Sequence, residues 1–303
     1  MTRKLRSIAS LLLLAVALAA GIYYAANHRE IIDHLADTSW ETTGAIFCLY
    51  ALMFGVLLLI FVATMDICAR KVPLAENAVI NAYSLLINFF IPGQGGSAYR
   101  GLYLRQRHKL RLRDFAFASL LYYLFYALVS VLLLLASSRP WWETALAAMA
   151  VTGCGLLIIR RYSRRSPGGR LELKLGLRSA GFLLVATVLQ AAVQILIYGI
   201  ELASTSQAVS FSQIMTYTGA ANLALFASLT PAAIGIRESF LLFTERLHHI
   251  SSTNIIEANM IDRAVYIVFL LAILLIALGG RVINHQRLRR MSEPVGPTGS
   301  AEQ

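Results

Sequence analysis

The first stretch of the sequence that could do chemistry is a glycine-rich break in an apolar run, residues 88–100 (NFFIPGQGGSAYR). Three glycines within four positions allow left-handed backbone and a close approach to a ligand. A helix that starts near Ser97 would point free N–H groups and the positive end of its dipole at the break, where an anion is stabilised. The stretch therefore predicts a phosphate site made by Pro92, Gly93, Gly95, Gly96 and Arg100.

A second break, residues 229–239 (LTPAAIGIRES), places ionisable side chains within an apolar stretch. Adjacent residues on a helix do not face each other, so Arg237 and Glu238 are not expected to pair with one another. Asp262 and Arg263, at the start of the last apolar run, offer the complementary charges. The second predicted site comprises Pro231, Gly235, Arg237, Glu238, Asp262 and Arg263.

The composition predicts that a lipid bilayer surrounds these breaks. Hydrophobic residues make up 57% of the 303 residues, charged residues make up 14%, and the mean hydropathy is +0.64. Soluble chains average about 45–50% apolar residues, so a soluble globule of this length could not bury so much apolar surface. The formal net charge of +11 comes from basic residues in loops between apolar runs, which membrane topology explains. We therefore expect a membrane protein that binds no nucleic acid.

Six apolar segments are long enough to cross a bilayer, which takes about 20 residues. The first is expected to be an uncleaved anchor rather than a signal peptide, because its apolar run continues through Tyr24. The apolar stretches around the two breaks are too short or too charged to cross alone. The predicted spans are Ile8–Ala26, Gly44–Met65, Phe115–Ala136, Trp141–Ile159, Ser179–Ile200 and Ala264–Gly280.

The distribution of Lys and Arg predicts the topology. If both breaks belong to hairpins that return to their own side, 22 of the 27 basic residues face the cytoplasm, as the positive-inside rule requires. Both termini are then cytoplasmic, in a bacterial inner membrane. The predicted fold is an all-α polytopic membrane protein. It has six spanning helices and two broken re-entrant hairpins, near 77–104 on the cytoplasmic side and near 211–247 on the outer side.

The same topology predicts an inverted repeat. Residues 1–139 and 140–290 each contain two spans, a broken hairpin and a further span, in opposite orientations, and residues 291–303 form a disordered tail. Backbone freed by Pro and Gly must be buried in protein or line a wet cavity. In secondary transporters, paired broken helices meet near the midplane of the membrane and form the substrate site. The architecture therefore favours transport.

Both breaks also have a structural interpretation. The first could be a tight turn that only lets two helices pack, and the second an ion-pair network that only stabilises the fold. In the functional interpretation, Arg100 and Arg237 hold the same phosphate in turn, one from each side of the membrane. Replacing either arginine with Gln would then abolish transport at a near-normal protein level.

The motifs at residues 88–100 and 231–238, with the last span opened by Arg263, resemble the flippase-like membrane-domain family. That family includes the transmembrane region of lysylphosphatidylglycerol synthases, and the resemblance covers about residues 5–285. It implies movement of a phosphate-bearing lipid between leaflets: a phospholipid, a modified phospholipid or a polyprenyl-phosphate-linked lipid. The sequence ends soon after Arg290, so the soluble aminoacyl-transfer domain is not expected, and we expect no enzyme. By position in these motifs, the resemblance implies that the functional residues are Pro92, Gly93, Gly96, Arg100, Gly235, Arg237, Glu238 and Arg263.

The expected partners are the lipid substrate and anionic headgroups at the cytoplasmic basic loops. In the run Arg105–Arg113, five charges would share one face if the chain were extended and would scatter if it were helical. The alternative function is a non-catalytic membrane partner of a glycosyltransferase acting on polyprenyl-phosphate sugars. A glycosyltransferase or a lipid-synthesis enzyme is a further expected partner. No cofactor or metal is expected, because the three cysteines form no metal-ligand spacing.

Overall fold

The computed structural model describes residues 38–90, 95–135, 142–150, 176–205, 208–226 and 236–292, with the isolated residues 140, 153 and 157. The regular secondary structure of this part of the chain is helical, and residues 142–150 form a short helical stretch. The other helices are α1 (Trp40–Ile67), α2 (Leu74–Phe90), α3 (Gly95–His108), α4 (Leu112–Leu135), α5 (Leu177–Ala203), α6 (Phe211–Phe226), α7 (Ile236–Phe243), α8 (Glu245–His248) and α9 (Ser252–Ser292).

Four helices in the described ranges are long and apolar enough to cross a membrane. They cover Trp40–Ile67, Leu112–Leu135, Arg178–Ala203 and Ser252–Ile276. They coincide with four of the six predicted spans, so the all-helical, membrane-spanning character of the chain is confirmed. The predicted span Ile8–Ala26 lies outside the described residues. Only residues 142–150, 153 and 157 of Trp141–Ile159 are described, and these are helical.

The last helix begins earlier than the sequence predicts. α9 starts at Ser252 rather than at Ala264, so Asp262 lies roughly three turns inside the helix and does not open it. Hydropathy misplaces this start because the first turns carry polar side chains that other helices cover, among them Asn254 and Asn259. The helix also extends to Ser292, two residues into the predicted tail, and residues 293–303 lie outside the described ranges.

Both predicted breaks fall between helices that pack on each other. Residues 91–94 separate α2 from α3, and residues 227–235 separate α6 from α7. At both places, two helices that pack on each other flank the predicted break. The breaks themselves lie outside the described residues, and with them four of the predicted site residues: Pro92, Gly93, Pro231 and Gly235.

A carboxylate joins α2 and α3 at the end away from their break. Glu76 accepts hydrogen bonds from the Tyr103 hydroxyl (2.7 Å) and from His108 Nε2 (3.1 Å), and Arg107 Nε lies 2.9 Å from the same oxygen. Partial burial opposes ionisation, but these bonds and charges hold the pKa of Glu76 below its usual range. Because the folded-state pKa is lowered, this contribution to stability exists at neutral pH and is lost as the pH falls through that pKa.

The basic run Arg105–Arg113 is not one extended segment. Arg105 and Arg107 lie in the last turn of α3, Lys109 has a left-handed φ of 53°, and Arg113 lies in the first turn of α4. The interpretation of five charges on one extended face is therefore wrong, because a helix end, a turn and a helix start aim them differently.

The helices of the two predicted halves interleave. α1 packs against α5, α4 packs against α6, and α9 packs against α1, α2 and α5. One buried hydrophobic cluster accordingly contains Phe61 from the first half and Tyr217 from the second. The contact between α4 and α6 needs a glycine, because a Cβ at Gly219 would lie 2.5 Å from the carbonyl oxygen of Ser130. Interleaving places residues from both breaks around one space.

Candidate functional site

A cavity of about 330 Å³ lies where the helices of the two halves meet. Helices α1 to α7 and α9 all contribute side chains to its wall. Arg100 enters it from α3, Arg237 from α7, and Asp262 and Arg263 from α9. The structure therefore brings four of the sequence-predicted site residues, drawn from both breaks and the last span, into one space.

Arg100 is a cavity cation with no carboxylate partner in the described part of the chain. Its Nη1 donates to Asn81 Oδ1 and its Nη2 to Ser97 Oγ, both at 3.3 Å, and both partners are neutral. Its Nε is buried and meets no acceptor among the described residues. Charge-assisted bonds from a guanidinium to an anion are shorter and stronger than these contacts. Arg100 is therefore available to an anion that enters the cavity.

The glycine-rich break contributes less to an anion site than its sequence suggests. α3 begins at Gly95, and the N–H of Gly96 donates to Asn88 Oδ1 on α2 at 2.7 Å. A Cβ at Gly96 would collide with Ser84 and Asn88, so the glycine is needed for the close contact between α2 and α3. The N–H that was expected to face a phosphate is occupied by Asn88, and helix packing explains Gly96.

Two ion pairs join α7 to α9 beside the second break. Arg237 Nη1 donates to Asp262 Oδ2, and Arg263 Nη2 donates to Glu238 Oε1. The expected complementary pairing is confirmed, because each α7 residue meets an α9 partner and not its own neighbour. Arg237 is 8% exposed and Asp262 is 4% exposed. Since separating a buried pair is costly, this pair holds α7 on α9.

Arg237 nevertheless keeps donor groups that the described residues do not use. Its Nε and Nη2 are buried and meet no acceptor in the described ranges, and its guanidinium carbon lies 5.0 Å from the centroid of the Tyr198 ring. The Tyr50 hydroxyl donates to the second carboxylate oxygen of Asp262. A guanidinium has five N–H donors in a fork, so Arg237 can bind an anion while it remains beside Asp262.

The sequence-based prediction missed a chain of neutral polar side chains in and directly behind the cavity wall. Tyr122 donates to Gln190 Oε1, Gln194 donates to the Tyr126 hydroxyl, and Asn222 donates to Gln194 Oε1, each at 3.0 Å. Gln190 and Gln194 lie one turn apart on α5. Two polar residues at this spacing inside an apolar span could have predicted a polar contact here, because polar side chains at membrane depth usually face a cavity or another helix.

The charge balance of the cavity favours an anion. Three guanidinium groups and one carboxylate line it: Arg100, Arg237, Arg263 and Asp262. Glu238, which is not among the lining residues, balances Arg263. The remaining wall includes phenylalanine, tyrosine and leucine side chains. An anion attached to an apolar group fits this combination.

The described ranges contain no group of three His, Cys, Asp or Glu side chains placed to hold a metal ion. Cys48 is exposed and Cys68 is buried, and both are free thiols. The chemistry that the described site offers is anion binding by guanidinium groups.

Comparison with known protein families shows which family the chain resembles. The family model described as the lysylphosphatidylglycerol synthase TM region matches residues 7–274, which is most of the chain. The matched range includes the helix pairs α2–α3 and α6–α7 and all four charged residues of the cavity. No curated protein matches the chain.

Proposed function

Because the chain belongs to the lysylphosphatidylglycerol synthase TM-region family, we propose that it moves a phosphate-bearing lipid between the leaflets of a membrane. Membership indicates a membrane protein with a lipid-related function. The observation that supports lipid movement is the environment of Arg100, whose guanidinium lines the cavity and has only neutral partners among the described residues. Lipid phosphates are the anions that a bilayer itself supplies, and a guanidinium binds phosphate through two parallel N–H donors.

In this proposal the headgroup enters the cavity while the acyl or isoprenoid tails stay in the bilayer. The phosphate binds Arg100 from the cytoplasmic side and passes to the unused donors of Arg237, which are reached from the outer side. The amide groups of Gln190 and Gln194 solvate the headgroup during this transfer. The polar wall thereby lowers the cost of taking a charged group through a bilayer, which is high without such partners.

The proposal includes the topology that the sequence predicts. The two interrupted helix pairs are re-entrant hairpins of an inverted repeat, six helices span a bacterial inner membrane, and both termini are cytoplasmic. Opposite orientation of the pairs would open the cavity alternately to the two sides, as in other transporters built from inverted repeats.

Cysteine labelling tests this topology. In a variant without Cys48, Cys68 and Cys154, single cysteines at Ser166 and Ser300 are expected to react only from the cytoplasmic side. The four arginines Arg160, Arg161, Arg164 and Arg165 keep the loop around residue 166 in the cytoplasm, by the positive-inside rule. Because the predicted span Ser179–Ile200 separates this loop from Ser206, a cysteine at Ser206 is expected to react only from the outside. Labelling of Ser166 and Ser206 from the same side would contradict the inverted repeat.

Flipping by the purified full chain in liposomes tests the transport itself. We expect fluorescent NBD-labelled phosphatidylglycerol in the inner leaflet to become accessible to external dithionite faster than in protein-free liposomes. An NBD-labelled glucosylceramide, which carries no phosphate, is the matched control and is expected to move no faster than in protein-free liposomes. Equal rates with and without protein would reject transport of this phospholipid. Equal acceleration of both lipids would reject phosphate as the recognised group.

A further inference from the structure

Glu201 is a buried acid that the proposed lipid path does not use. It lies in the last turn of α5, is 1% exposed, and neither carboxylate oxygen meets a hydrogen-bond donor among the described residues. An ionised carboxylate without donors is costly in a protein interior. The C-terminal end of a helix carries partial negative charge, which adds to that cost. Glu201 is therefore in a place that favours a neutral, proton-bearing carboxyl.

The carboxyl group of Asp262 lies beside that of Glu201, close enough for a hydrogen bond between them. Two carboxylates only accept hydrogen bonds, so this contact requires a proton on one of them. Arg237 is a neighbour of both acids and already donates to Asp262. One guanidinium balances one negative charge, and two carboxylates that share a site do not both ionise readily. The group of three is neutral when the two acids hold one proton.

The other titratable side chains around Glu201 do not supply a second cation. His248 on α8 contacts the ring of Tyr217, with 5.6 Å between the ring centroids. Its Nε2 donates to the carbonyl of Leu241, its Nδ1 accepts from the N–H of Ile250, and burial lowers its pKa, so the ring is neutral. The remaining neighbours are phenols: Tyr50 of α1, Tyr198 of α5 and Tyr217 of α6, with Tyr126 of α4 beyond them near Tyr198 and Arg237.

We propose that Glu201 and Asp262 form a proton-binding site that holds one shared proton and takes up a second when an anionic headgroup binds Arg237 and neutralises its charge. The idea rests on the proposed function, since the anion is the lipid phosphate. In the coupled step a carboxylate oxygen forms an O–H bond with a proton from cavity water, and no other covalent bond changes. The entering anion and the entering proton together add no net charge to the buried site.

Proton uptake makes headgroup binding depend on pH. Binding of dihexanoyl phosphatidylglycerol is expected to tighten by up to about tenfold for each unit of pH decrease, the limit for one linked proton. In membranes, a pH difference between the two sides would then bias the direction of lipid movement.

Infrared spectroscopy of the purified full chain tests the shared proton directly. The wild-type protein is expected to show the C=O stretching band of a protonated carboxyl at neutral pH. Glu201→Gln removes this band, because Asp262 is then the single acid beside Arg237 and ionises. Glu41→Gln, which makes the same chemical change at an exposed position of α1, leaves the band unchanged. Glu201→Asp keeps a carboxyl and shifts the frequency of the band, so it assigns the proton even if the Gln variant does not fold.

Addition of glycerophosphoglycerol, which has the headgroup phosphate but no ester C=O group that absorbs in the same region, is expected to increase the band of the wild-type protein, as the second acid is protonated. An absent band in the wild type, or a band that persists in Glu201→Gln, would overturn the proton site. Binding without growth of the band would overturn the coupling. These results are independent of the flipping assay: a normal band in a protein that does not flip lipid rejects the transport function and leaves the proton site in place.

Discussion

Arg237→Gln is expected to lose most of its folded protein. The substitution leaves Asp262, which is 4% exposed, without its guanidinium partner, and Glu201 remains beside it. Removal of one partner of a buried ion pair typically costs about 3–5 kcal/mol, which is a large part of the stability of a protein domain. The measurement is the midpoint of thermal unfolding in detergent, with the monodisperse yield from size-exclusion chromatography.

The double variant Arg237→Gln with Asp262→Asn tests whether the instability of Arg237→Gln comes from the unpaired carboxylate of Asp262. Both buried charges are gone, so the double variant is expected to be more stable than Arg237→Gln alone. Arg246→Gln, an exposed arginine at the α8 turn, makes the same chemical change and is expected to unfold like the wild type. If Arg237→Gln were as stable as the wild type and the double variant gained nothing, the pair would have no structural role.

Arg100→Gln is expected to have the opposite profile, with normal folding and lost transport. Its side chain contacts Asn81 and Ser97, both neutral, so its removal strands no buried charge in the described part of the chain. The lost charge-assisted bond to phosphate is worth about 1.5–3 kcal/mol, which corresponds to about a tenfold to hundredfold decrease in rate. The measurement is the flipping rate of NBD-labelled phosphatidylglycerol per folded molecule in liposomes.

Two further variants at this helix sharpen that result. Arg100→Lys is expected to keep partial activity, because a point charge still attracts phosphate although the two-pronged contact is lost. Arg105→Gln, exposed on the same helix, is the matched control and is expected to transport normally. Normal turnover by Arg100→Gln would remove Arg100 from the lipid site.

The two arginines therefore differ in a way that the sequence does not reveal. Both follow a predicted Pro and Gly break. If both hold the phosphate in turn, Gln at either position leaves the protein level near normal, whereas a structural ion-pair network predicts a loss of folded protein at each. The structure pairs Arg237 with a buried carboxylate and gives Arg100 only neutral partners among the described residues. A stability defect is therefore expected at Arg237, where the sequence alone left a structural ion-pair network and a phosphate clamp as alternatives.

The sequence by itself determined the membrane character and four spans found in the structure. These features depend on local composition, because a bilayer selects long apolar runs. The pairing of residues 237 and 238 with 262 and 263 was also predictable, since charges at membrane depth need opposite charges and few were available.

Only the tertiary structure decided which of these residues share a cavity and what each one contacts. Tyr50 meets Asp262 across 212 residues of sequence, and Asn88 takes the Gly96 N–H that was expected to face a ligand. The early start of α9 and the burial of Glu201 likewise depend on neighbouring helices. The physical reason is that hydropathy and spacing describe one helix at a time. The partners of a buried polar group are instead set by helix packing, which brings together side chains far apart in the sequence.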